Sequence, residues 1–154
     1  MLKNLTFWTI VAAGGLTTLK GGTPDSGRIN AQKVVTELKA AHPEITSLEL
    51  AATKSQQDGC KTIAATEANE IGQKCDKDEL TAIKTDSPFV EQEKDEFDVT
   101  LPIHDSTGKI IATAGMDFKA AGQTKVTVTQ QAKLIAAELE KRFTSKSGLF
   151  EPAQ

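Results

Sequence analysis

The stretch from Pro88 to Phe118 limits what this chain can fold into more than any other part of it. It runs Pro88-Phe89-Val90-Glu91, then Phe97 to Ile103, then the turn Asp105-Ser106-Thr107-Gly108-Lys109, then Ile110 to Phe118. Asp at the first turn position and Gly at the fourth fit a type I turn closed by a residue at positive φ, a conformation that costs glycine nothing sterically. A hairpin with a short loop of about three residues follows. That loop pairs Asp105 with Lys109, Ile103 with Ile111, Leu101 with Thr113, Val99 with Gly115 and Phe97 with Asp117, because opposed residues share a face. Asp117 is thereby expected on the Val99/Leu101/Ile103 face, where a carboxylate needs a partner, a ligand or water. The alternative is that Asp117 ends its strand and points to solvent.

Helical and extended patterns elsewhere come in a readable order. Ala31, Val34, Val35, Leu38 and Ala41 recur at helical spacing between Asn30, expected as the N-cap, and His42, after which Pro43 forbids continuation. Ile45, Leu48 and Leu50 suggest a strand, Ser55 to Gly59 a turn, and Cys60 to Thr66 its hairpin partner. Asp76 to Thr85 is expected as a short helix with Leu80 and Ile83 inward. From Thr124 to Phe143 the residues Val128, Ala132, Ile135, Leu139 and Phe143 form an apolar stripe, the last helix. Hairpins follow each other locally without alternating strand-helix-strand units, so the class is α+β with an antiparallel sheet.

Composition narrows function. With 154 residues, 38% hydrophobic and 25% charged, the chain suits one domain with one core. A net charge of -3, with Lys and Arg scattered among Asp and Glu, offers no basic face and argues against nucleic acid as a partner. No Tyr and a single Trp, Trp8, leave little for aromatic cages. Met1-Leu2-Lys3, the apolar run Leu5 to Leu16 and the small residues after it read as an export segment over 1–22. That run is too short and too rich in Thr and Gly to span a bilayer, so no membrane span is expected after export; a buried N-terminal helix or strand is the alternative. A single domain over 28–144 and a C-terminal tail over 145–154 complete the division. The cysteines, Cys60 and Cys75, fit a disulfide in a periplasmic or secreted domain. Two free thiols in a cytosolic protein are the alternative.

No nucleophile elbow, phosphate-binding loop, dinucleotide fingerprint or metal-ligand spacing is visible, and His42 and His104 stand apart. The expectation is a protein that is not an enzyme, with no catalytic residue, no metal and no cofactor.

The amphipathic helix ending at Pro43, Ile71-Gly72 leading to Glu79-Leu80-Thr81-Ala82, Leu101-Pro102-Ile103, Gly108-Lys109-Ile110-Ile111 and Gly115-Met116-Asp117-Phe118 follow one another in a telling order. From about Val34 to Phe118 the chain resembles the Cache family of extracytoplasmic sensor domains, single-Cache modules in particular. The resemblance implies a PAS-like five-stranded antiparallel sheet with N-terminal and C-terminal helices packed on it. It also implies a ligand pocket between that sheet and residues 66–87. In amino-acid-sensing members a Pro-Tyr-x-Asp pattern and a strand-ending Asp read the ligand, and the matching positions here are Pro88, Phe89, Glu91 and Asp117. Phe89 replaces the Tyr, and Lys77-Asp78-Glu79 stands where those members carry Arg-x-Trp.

Phe89 and Glu91 share a strand face, and an aromatic wall beside a carboxylate suits an amine. Lys77 is the candidate for a ligand carboxylate, and Leu101 and Thr113 complete the expected lining. The expected ligand is an amine, an amino acid or a small organic acid. With no output domain of its own visible, such a sensor passes its signal to a separate signalling protein. The competing reading is a non-enzymatic protein–protein interaction module with a filled pocket.

Overall fold

The computed structural model describes residues 28–154. The export segment expected at 1–22 lies outside the described residues. The elements are α1 (Asn30–Ala41), β1 (Ile45–Thr53), β2 (Cys60–Ala65), α2 (Lys77–Thr85), β3 (Phe89–Glu93), β4 (Glu96–His104), β5 (Ile110–Lys119), α3 (Lys125–Arg142) and α4 (Lys146–Phe150), with one 3-10 turn at Ala68–Glu70. The strands form a five-stranded sheet in the order β2-β1-β5-β4-β3. Every pairing is antiparallel. The α+β class and the five-stranded antiparallel sheet expected from the sequence are both present.

The sheet has two unlike faces. Leu48 and Leu50 of β1, Val99, Leu101 and Ile103 of β4, and Ala114, Met116 and Phe118 of β5 form the main core with α1 and α3. The stripe Val128, Ala132, Ile135, Leu139 and Phe143 is buried along its whole length. α2 lies against β3, β4 and β5 on the opposite face.

Thr124 caps α3, its hydroxyl accepting the Thr127 N–H at 3.2 Å while the Thr127 hydroxyl accepts the Thr124 N–H at 2.8 Å. Thr124→Ala should cost about 1 kcal/mol, read as a lower midpoint in denaturant at unchanged slope.

Several local expectations are corrected. Asn30 is the first residue of α1 rather than its cap; its side chain donates to the Gly148 carbonyl at 3.0 Å. The turn forms as read, with the Gly108 N–H on the Asp105 carbonyl at 3.0 Å, the Asp105 N–H on the Lys109 carbonyl at 2.9 Å and Gly108 at φ +82°. The ladder beyond it does not. His104 faces Ile110, but Ile103 faces Ala112, so Ile111 is an extra residue in β5. One inserted residue moves every later partner to the other face. Leu101 therefore faces Ala114, Val99 faces Met116, Phe97 faces Phe118, and Asp117 faces Asp98. Asp117 leaves the apolar face altogether.

α2 is rotated from its expected setting. Leu80 and Ile83 are 52% and 37% exposed, whereas Glu79 and Ala82 are buried. The cause is local: the Glu79 carboxylate accepts the Asp76 N–H at 2.8 Å in a capping box, and the small Ala82 lets the helix approach the sheet.

Residues 145–154 belong to the fold. Leu149 of α4 is fully buried in the core, and Ile29 pairs with Pro152 in an isolated bridge.

Candidate functional site

The face under α2 is built by strand alternation. Ser47, Asp117, Asp98 and Glu91 stand in one cross-strand row over β1, β5, β4 and β3, and Glu49, Gly115, Thr100 and Phe89 in the next. Opposed side chains in such rows lie about 5 Å apart at Cβ, so Asp117, Asp98 and Glu91 crowd one another, an arrangement that is unfavourable for like charges. Ser47 relieves part of this, donating its hydroxyl to Asp117 Oδ2 at 2.6 Å.

Gly115 has a sterically defined reason to be glycine. A Cβ added there would meet Glu49 Oε1 at 2.9 Å and its Cγ at 3.0 Å, so the Glu49 side chain lies across the bare backbone. Thr62 Oγ1 reaches Glu49 Oε2 at 3.5 Å from β2. From above, α2 lowers Glu79 onto the same carboxylate.

Electrostatics on this face run in one direction. Burial, then the charge of Glu79 and a hydrogen bond shared with it, pushes the Glu49 carboxyl up to about 8. Burial, then the neighbouring Asp117, pushes Asp98 up to about 7. Burial leads again at Glu79, which is raised with a further contribution from the Asp76 side chain, and at Glu70, which is raised by Asp117 as well. A carboxyl raised to about 8 keeps its proton near neutral pH, so Glu49 is the partner able to donate to Glu79. The leading charged neighbours of Glu49, Glu70 and Asp98 are all other carboxylates.

Among the described residues no group of three or more His, Cys, Asp or Glu has the arrangement to hold a metal ion. The carboxylates are strung along rows rather than aimed at one point.

The residues singled out in the sequence divide between faces. Phe89, Glu91, Thr113 and Asp117 lie on the acid face by register, with Thr113 fully buried and Glu91 exposed on the outermost strand. Lys77, at the start of α2, sets its Nζ 5.5 Å from the centre of the Phe89 ring, a cation–π contact at the mouth of the site. Leu101 belongs to the main core on the opposite face.

Glu49, Asp98 and Glu79 went unread as site residues. The signal was present as Ser47-x-Glu49 within Leu48/Leu50, and as Asp98-x-Thr100 within Phe97/Val99/Leu101. Both are alternation patterns that put polar side chains on the face that carries Asp117 once the register is known.

Cys60 and Cys75 are joined by a disulfide with Cα atoms 5.3 Å apart. It fastens the segment leading into α2 to the edge strand β2. The Cys75 N–H on the Cys60 carbonyl at 3.1 Å and the Gly72 N–H on the Thr62 carbonyl at 2.8 Å continue that attachment. At the other end of α2, Asp86 adopts φ +49° and its carboxylate meets His104 Nε2 at 2.7 Å.

A large open cleft of about 1140 Å³ lies elsewhere, at the β3–β4 hairpin tip, lined by Glu93, Lys94, Asp95, Glu96 and Lys119. Its charges are exposed and of both signs, so it offers no desolvated set for recognition, whereas the acid face does.

No family model matches the chain, and no curated protein matches it. Solved structures do. The repressor BlcR of Agobacterium tumefaciens is similar in fold, with a TM-score of 0.58 at 7% identity over 76% of this chain and 68% of that one. The inducer-binding domain of the PobR transcription factor from Acinetobacter, a double mutant in complex with 3-hydroxybenzoic acid, matches with a TM-score of 0.51 at 9% identity over 75% of this chain and 95% of that one. At such identities the shared property is the fold.

Proposed function

We propose that the chain is a non-enzymatic sensor domain of Cache type that binds a small organic cation between α2 and the sheet. The observation that carries this reading is Glu49 and Asp98, both near Glu79 with carboxylates as their leading charged neighbours, and Asp117 directly opposite Asp98. An amine entering this face replaces the shared proton and relieves the repulsion, so binding and neutralisation are one event. Phe89 with Lys77 forms the aromatic side of the entrance. The fold supports the reading by analogy, since the PobR domain of similar architecture was solved with a small organic ligand. There the ligand is an acid; here the acid lining selects against one.

Export is part of the proposal. It draws on the leader-like pattern over 1–22 and on the disulfide, which forms and persists in oxidising compartments. The signal then passes to a separate protein. Among the described residues no helix is long and apolar enough to cross a membrane.

A thermal-shift screen of mono- and diamines, amino acids and small organic acids is the test. A cation at about a hundred times its Kd should add about 2.7 kcal/mol to stability. Asp117→Asn should weaken that cation about 10-fold or more, because it removes a charge-assisted contact worth roughly 1.5–3 kcal/mol. A shift from organic acids alone would sink the cation reading. The outer side of α2, with Leu80 and Ile83 exposed, favours the interaction-module reading instead if no small molecule moves the midpoint and a protein partner binds there.

A further inference from the structure

The geometry points to α2 as a proton-latched cover: anchored covalently at its N-terminal end, it is held down along its length and at its C-terminal end by contacts that exist only while Glu49/Glu79 share a proton and His104 carries one. The inference rests on the proposed site only in that α2 covers the acid face. It adds that external pH governs how often the cover lifts.

α2 is tied at both ends, by the disulfide before it and by β3, which begins at Phe89 three residues after Asp86, so lifting means loosening of the helix between these ties. The disulfide Cys60–Cys75 ends one residue before the N-cap Asp76, so the N-terminal end cannot leave the sheet. Glu79, buried, presses onto Glu49 of β1. The groups that face this pair are Asp98 of β4, Glu70 of the preceding loop and Asp76 of the cap. All are acids, so losing the shared proton turns attraction into repulsion. On the outer side, Asp78 feels Glu91 and Glu93 of β3 and is opposed by Lys77.

The C-terminal end is held by one imidazole. His104 Nε2 meets Asp86 Oδ1 at 2.7 Å, and Nδ1 meets Glu140 Oε1 of α3 at 2.9 Å. Glu140 also accepts the His104 backbone N–H at 3.0 Å. An imidazole donates from both nitrogens only when protonated, so the neutral ring can satisfy one carboxylate and must release the other. Glu140 retains the backbone donor and Asp86 does not, so Asp86, the C-cap of α2, is the side that lets go and the last turn of the helix loosens. Lys133 lines the same groove and is the cation facing these acids from α3.

The two devices act with one sign. Burial opposes the charge on His104, but its bonds to Glu140 and Asp86 outweigh that and raise it above 6.5, so its clip holds at low pH and fails as pH rises through that raised value. The Glu49/Glu79 proton is lost in the same direction, around pH 8. Acid closes the cover and alkali frees it.

Amide hydrogen exchange on the ligand-free full chain, corrected for the intrinsic pH dependence, tests this separately from any ligand. Protection of the α2 amides Leu80–Thr85 should fall about 10-fold or more between pH 6 and pH 9, while protection in β5 changes much less. Glu49→Gln should raise α2 protection at pH 9 above that of the wild type without restoring its pH 6 value, since the His104 clip is lost there. His104→Gln, or the exposed Asp86→Asn should the first fold poorly, should bring part of the loss of protection down to pH 6. His42→Gln serves as control, since His42 joins Glu44 to Glu138 of α3 and does not touch α2. If α2 protection follows β5 at every pH, or His42→Gln acts like His104→Gln, or neither His104→Gln nor Asp86→Asn alters it, the latch is overturned.

Discussion

A chain carrying Cys60→Ser and Cys75→Ser together should lose about 3 kcal/mol of stability, read as a lower denaturation midpoint with a somewhat changed slope. The figure follows from the sequence separation of 15 between the joined cysteines, since a cross-link over a loop of that size removes about that much chain entropy from the unfolded state. The loss should fall unevenly. Segment 66–76 makes no contribution to the main core, and its 3-10 turn buries no residue, so it depends on the cross-link and on the backbone bonds to β2. Proteolysis after reduction should therefore cut in this segment before any strand is cut. Cleavage first within α3 or β5 would show that the cross-link supports the whole core instead.

Glu49→Gln should stabilise the protein by about 2 kcal/mol at pH 9 and leave it nearly unchanged at pH 5, the figure being discounted for partial solvent exposure. Glu49 is raised from 4.5 to about 8 in the fold, chiefly by burial and next by Glu79. The folded chain thus holds a proton that the unfolded chain gives up across that interval. Wild-type stability must decline as pH climbs from about 4.5 to about 8, and the amide variant escapes the decline. Gln keeps the shape and still offers an N–H to Glu79. Equal stability of the two proteins at pH 9, in urea titrations at each pH, would remove the basis for a proton held between Glu49 and Glu79.

Much of the architecture was legible because local rules agreed with global packing. The stripe on α3 and the turn Asp105–Lys109 formed as read, and the short helix expected over 76–85 is present as α2. What failed was parity. The bulge at Ile111 has no glycine or proline to announce it, and it transfers Asp117 from the company of Val99 to that of Asp98. β1 shows the same effect: a register irregularity between Ile45 and Ser47 lets Ile45 and Leu48, three apart, both point into the core. α2 misled for a different reason. Its apolar residues suggested an inward face, but the capping box set its rotation and sent Leu80 outward. Glu79 therefore went unread, although it is the residue of α2 buried against the sheet.

The pairing of Ile29 with Pro152, with the Ala153 N–H on the Arg28 carbonyl at 2.9 Å, gives the fold a single doorway. Residues 28–30 and 151–153 run side by side there, joined by two backbone hydrogen bonds and by Lys33 reaching the Gln154 carbonyl at 2.7 Å. A short peptide could join those ends without stretching, so new termini could be opened at the exposed Gln56–Asp58 turn and the same ladder retained. The module could equally be set into a surface loop of another protein, with both of its ends already lying together.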